Sequence, residues 1–147
     1  MNPIYNAITV DGEVSQKTLE PMAKQKEFEY KVRRIINDYI RPPKAEYKLD
    51  RALWWMDRFR KEFIDLVRIR DMHDLFKAYE VENIIQCATM SALASKERKE
   101  SRWGPWHFRN DYPEKNDSEW LKHIVLTQGE APEDVRISHK DIIRMTG

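Results

Sequence analysis

The chain has 147 residues, 41% hydrophobic and 35% charged, and 26 Lys and Arg stand against 25 Asp and Glu. That length suits one domain, and a net charge of +1 with both signs interleaved excludes a general attraction to nucleic acid or anionic lipid. The lone Cys87 excludes an internal disulfide, and no apolar run approaches the roughly 18 residues that span a bilayer, so a folded cytoplasmic chain without membrane insertion is expected.

Residues 1–17 carry little periodicity and read as a lead-in strand or loop, with a turn signal at Asp11-Gly12. A first helix is expected from Thr18 as N-cap, with Pro21 in its first turn and Phe28, Val32, Ile35, Ile36 and Tyr39 on its buried face. Pro42-Pro43 stops it by disfavouring helix at Arg41. A second helix is predicted from Leu49 to Arg70, with Leu49, Leu53, Met56, Phe59, Phe63, Leu66 and Val67 as its stripe. Asp71, His73 and Asp74 fit a capped helix entrance better than a metal site.

The third helix runs to about Lys99, with Leu75, Tyr79, Ile84, Ile85, Ala88, Ala92 and Leu93 available for burial. Cys87 lies among its small residues, which predicts a buried, inert thiol. Short connections between three long helices imply antiparallel neighbours. The fold class is therefore mainly α, an up-down-up three-helix bundle of the spectrin-repeat kind over residues 18–101. An irregular segment with short strands follows over residues 102–147, within the same single domain. The strands are expected at Trp120–Leu126 and Val135–Ser138.

Four glycines and no glycine-rich fingerprint leave no backbone cradle for a dinucleotide pyrophosphate. His73, His107, His123 and His139 have no ligand spacing, and no nucleophile is fixed beside His107. The chain is accordingly assigned no catalytic, cofactor-binding or metal residue. Its densest segment, Lys96 to Pro113, mixes arginines, carboxylates and large aromatics. Arginines here can stack on Trp103 or Trp106 and pair bidentately with Glu100 or Asp111. The carboxylates nearly neutralise the patch, which argues against nucleic acid and for a structural knot pinning the loop to the bundle.

Glu100-Ser101-Arg102-Trp103, His107-Phe108-Arg109, Asp111-Tyr112-Pro113-Glu114 and Asp117-Ser118-Glu119-Trp120-Leu121-Lys122-His123 form an ordered series. It resembles the carboxy-terminal domain of the fumarate reductase and succinate dehydrogenase flavoproteins, including adenylylsulfate reductase alpha subunits. Those carry E-S-R-G-x-H-x-R, D-Y-P and D-x-x-W-x-K-H after a three-helix bundle; here Trp103 replaces the motif glycine and Gly104 follows. The resemblance implies a carboxy-terminal domain, excised or separately encoded, of an FAD-dependent oxidoreductase. On that basis the FAD belongs to the parent protein, and the partners are its flavin-binding domain and an iron–sulfur subunit. The interface candidates are Arg98, Glu100, Ser101, Arg102, Trp103, His107, Arg109, Asp111, Tyr112 and Trp120. The alternative is a free-standing helical interaction module using Trp54, Trp55, Trp103 and Trp106.

Overall fold

The computed structural model describes residues 19–130 and 134–143. Three helices dominate: α1 (Leu19–Ile35), α2 (Glu46–Leu66) and α3 (Met72–Glu97). A π-helical turn, Ile36–Ile40, prolongs α1 as far as the Pro42-Pro43 stop. A 3-10 turn (Gly104–Trp106) and a one-turn α4 (Asp117–Trp120) follow. An antiparallel hairpin of β1 (Lys122–Gln128) and β2 (Val135–Asp141) completes the fold, with Lys122 opposite Asp141 and Gln128 opposite Val135.

The expected bundle is present; α2 carries the apolar stripe that the periodicity implied, whereas α3 bears apolar side chains on its outer face as well, Phe76 and Met90 among them. Phe28 and Val32 of α1 meet Leu49, Ala52, Met56, Phe59 and Phe63 of α2, and Ala78, Val81, Ile85, Ala88 and Ala92 of α3 close the core. Phe28 stacks on Phe63 at 5.1 Å and meets Phe59 edge-on at 5.3 Å. Alanines on the inward face of α3 let the neighbouring backbones approach closely.

Several expectations need correction. α2 begins at Glu46 and ends at Leu66, because Val67 takes an extended conformation. Leu66 is half-exposed at the helix end, while Val67 and Ile69, already beyond the helix, fold back into the core. The capped helix entrance, by contrast, forms as expected: α3 begins at Met72, and the Asp71 carboxylate accepts the Asp74 N–H at 2.9 Å. Cys87 is exposed rather than buried, since residues 78, 81, 85, 88 and 92 face inward and 87 falls on the outer face. The first strand starts at Lys122, and Trp120 ends α4 instead. Asn116 caps that turn by accepting from Glu119 N–H. β2 extends three residues beyond Ser138. The lead-in over residues 1–17 and the Thr18 cap lie outside the described residues.

Candidate functional site

The segment from Arg98 to Trp120 folds against one end of the bundle, where α3 finishes and α2 begins. Its backbone is tied to the α1–α2 connection. Lys44 N–H donates to Phe108 O, and Asn110 N–H donates to Lys44 O, both at 2.8 Å. Within the loop, Arg102 and His107 pair across a tight turn. Trp103 there adopts φ +58°, and Gly104 does the same. The left-handed region normally asks for glycine, which is what the motif has at the position of Trp103. The indole is held outward by two guanidinium groups, Arg98 at 5.5 Å and Arg102 at 5.9 Å from the ring centroid.

Two ion clusters anchor the loop. The first is centred on Glu100, whose side chain is fully buried. Its carboxylate accepts Arg102 in a bidentate fork at 2.6 and 2.9 Å, Arg98 at 2.7 Å and the Asn116 N–H at 2.9 Å. Burial pushes this carboxyl up, but the bonds from Arg102, Asn116 and Arg98 outweigh it and leave the group below the usual carboxylate range. Arg98 also donates to Trp120 O and Lys122 O, joining the end of α3 to α4 and the root of the hairpin. Arg102 reaches on to Asp117 at 2.6 Å.

The second cluster joins two helix ends of opposite polarity. Arg109 is fully buried; its Nη1 donates to Ser95 O at 2.6 Å, with longer bonds to Lys96 O and Arg98 O, so a cation closes the C-terminus of α3. Its Nε and Nη2 fork onto Asp111 at 2.7 and 2.6 Å. Asp111 in turn accepts the Glu46 N–H at 2.8 Å, placing an anion at the N-terminus of α2. The Arg109 bonds hold the Asp111 carboxyl below its usual range. Ser101 serves the same structure: its hydroxyl accepts Arg109 N–H and donates to Tyr112 O, each at 2.8 Å. The Tyr112 ring lies 5.0 Å from the Arg109 guanidinium.

His107 points inward and is buried, and its Nε2 finds no partner among the described residues. Burial, and then the charge of Lys44, push the imidazole down to about 4, so it is neutral at physiological pH. All ten candidate residues therefore lie in or against this knot, and the expected stacking and bidentate pairs form, with Trp103 rather than Trp106 under the arginines. Three contributors, Lys44, Ser95 and Asn116, were not singled out from sequence. Lys44 is buried and donates to Ser95 Oγ at 2.8 Å, and Asn116 delivers its N–H to Glu100. Only Asn116 had a signal, the Asn-x-x-Glu spacing of a helix start.

Among the described residues no three His, Cys, Asp or Glu side chains converge as a metal site, and no helix is long and apolar enough to cross a membrane. Nearly every charge of the knot faces another charge or a backbone group of the same chain. The arrangement is mechanical: it fixes a loop, two helix ends and a hairpin to one another.

A family model described as the fumarate reductase flavoprotein C-terminus matches residues 29–146. The chain belongs to this family. The succinate dehydrogenase flavoprotein subunit of Rickettsia conorii is 29% identical over 110 residues, covering 71% of this chain and 18% of that protein. Its counterpart in Bacillus subtilis is 37% identical over 82 residues, 53% of this chain and 14% of that one. The chain thus spans under a fifth of the length of these two relatives. Among solved structures, an adenosine-5-phosphosulfate reductase in complex with sulfite is 26% identical with a TM-score of 0.64, over 69% of this chain and 16% of that one. The adenylylsulfate reductase of Archaeoglobus fulgidus shares the fold, with a TM-score of 0.70 at 24% identity, over 76% of this chain and 18% of that one.

Proposed function

We propose that this domain is the carboxy-terminal part of an FAD-dependent oxidoreductase flavoprotein of the succinate dehydrogenase, fumarate reductase or adenylylsulfate reductase type. Its role is to pack against the flavin-binding domain and shape the subunit, including its approach to an iron–sulfur partner. It takes no chemical step itself. FAD and the reacting groups belong to the rest of the parent protein, which acts in the cytoplasm, at most peripheral to a membrane complex. One observation carries the reading: the motif's charged groups, Arg98, Glu100, Arg102, Arg109 and Asp111, are engaged within the chain as buried pairs and helix caps. None is left aimed at a substrate.

The test is direct. The purified chain shows no flavin absorbance after incubation with FAD and no turnover of succinate, fumarate or adenylylsulfate. A stoichiometric yellow complex sinks the proposal. The interaction-module alternative is weakened by Trp55, which packs on the core and stacks on Phe59 at 5.4 Å instead of facing outward with Trp54.

A further inference from the structure

The knot holds something outward. Between the α1–α2 connection and the 3-10 turn lies an open slot of about 570 Å³, lined by Arg41, Pro42, Pro43, Pro105, Trp106 and Phe108. Trp106 is 79% exposed and Phe108 39%, and both belong to a backbone fixed from beneath by Lys44, His107 and Arg109. Alternation explains the pattern: residues 107 and 109 are buried, so 106 and 108 face away from the bundle. Apolar side chains presented on a rigid frame lose little conformational entropy when covered.

Charge says what kind of surface covers them. The only ionisable group lining the slot is Arg41, and its Nη1 donates to the neutral amide of Asn37. No carboxylate pairs with Arg41 among the described residues, although neighbouring Arg33 and Arg34 each have one. The slot therefore complements an apolar segment that carries an Asp or Glu at the rim. A second copy of this face does not supply one, because twofold pairing sets apolar lining and Arg41 against the same groups.

We infer that this slot is the seat of an apolar, carboxylate-bearing segment of the flavin-binding portion of the parent flavoprotein. The inference rests on the proposed function, which says that such a portion packs here; the slot says where, and by which chemistry. Two other exposed aromatic side chains stand outside this slot. Phe76 stands near the start of α3, at the opposite end of the bundle, and Trp54 is covered by the Arg58 guanidinium at 5.7 Å.

A photo-crosslinking amino acid at position 106 of the full chain, in the cells it comes from, tests the seat, with the same residue at position 76 as the comparison. Mass spectrometry of the crosslinked peptides is expected to place the position-106 adduct in an apolar stretch containing Asp or Glu. That stretch is expected in a sequence with a glycine-rich dinucleotide fingerprint. Crosslinks from 106 to a second copy, to an iron–sulfur protein or to nothing overturn the inference. If the flavin-binding sequence is captured from 76 alone, the slot is wrong while the proposed function stands; if from neither position, both fail. Arg41→Glu is expected to lower the yield from 106 at least tenfold with unchanged thermal unfolding, and an unchanged yield overturns the carboxylate assignment.

Discussion

The two ends of this small domain are held by opposite chemistry. In the bundle the side chains that touch across α1, α2 and α3 are almost all apolar, from Phe28 and Val32 to Met56 and Ile85, and each contributes through area removed from water. In the loop knot the most deeply buried groups include a guanidinium, Arg109, and a carboxylate, Glu100. A hydrophobic core tolerates repacking, whereas a buried charge is costly unless every partner is in place. The bundle therefore supplies cohesion, and the knot supplies one defined geometry for the loop, the hairpin root and the exposed tryptophans.

The difference can be broken most sharply at Glu100. Glu100→Ala strands Arg98 and Arg102 in a buried site, and a loss of about 3–5 kcal/mol is expected in urea unfolding. A loss below about 1 kcal/mol would show that water already screens this cluster. Met56→Ala, the matching change in the bundle, is expected to cost about 2–5 kcal/mol through a cavity, while leaving the near-ultraviolet signal of Trp103 and Trp106 intact. Loss of that signal would mean that the loop has no geometry independent of the core.

At the next level, Arg109→Met and Asp111→Asn form a double-mutant cycle. Because the pair joins the C-terminus of α3 to the N-terminus of α2, a coupling of about 0.5–3 kcal/mol is expected. Additive losses would show two separate caps instead of one clamp.

His107 sharpens the contrast with pH. Its folded value of about 4 lies below the ordinary 6.5, so the unfolded chain takes up the proton first. The stability it contributes is complete above about 6.5 and is lost as pH falls towards 4. The melting temperature of the wild type should fall more steeply from pH 7 to 5 than that of His107→Phe; equal slopes would refute the assignment. Below that window the lowered carboxyls of Glu100 and Asp111 continue the decline. The smallest effect is expected at Trp103→Gly, which removes a left-handed strain of roughly 1–2 kcal/mol and two contacts of about 0.5–1 kcal/mol each. A net change within about 1 kcal/mol in thermal unfolding is expected, and a loss above about 2 kcal/mol would place Trp103 in the framework itself.

The sequence by itself determined the three helices, their antiparallel order and the apolar residues that join them. Those follow from a 3.6-residue period and two short connections, which are local. It also determined that the Glu100–Tyr112 segment is special, and the ordered series there carried the family resemblance. Helix bounds near residues 46 and 66 were less legible, because Asp111 supplies a bond to the start of α2 from 65 residues away and Val67 leaves the helix to enter the core. Cys87 was misjudged because small neighbours signal a close approach but only helix phase decides which face meets it.

Tertiary structure alone decided which arginine meets which carboxylate. Arg98, Arg102 and Arg109 are interchangeable in composition, and their separate tasks depend on where α3 ends and where the loop crosses Lys44. Charge pairing has no period to read along a chain; it is fixed by distances across it.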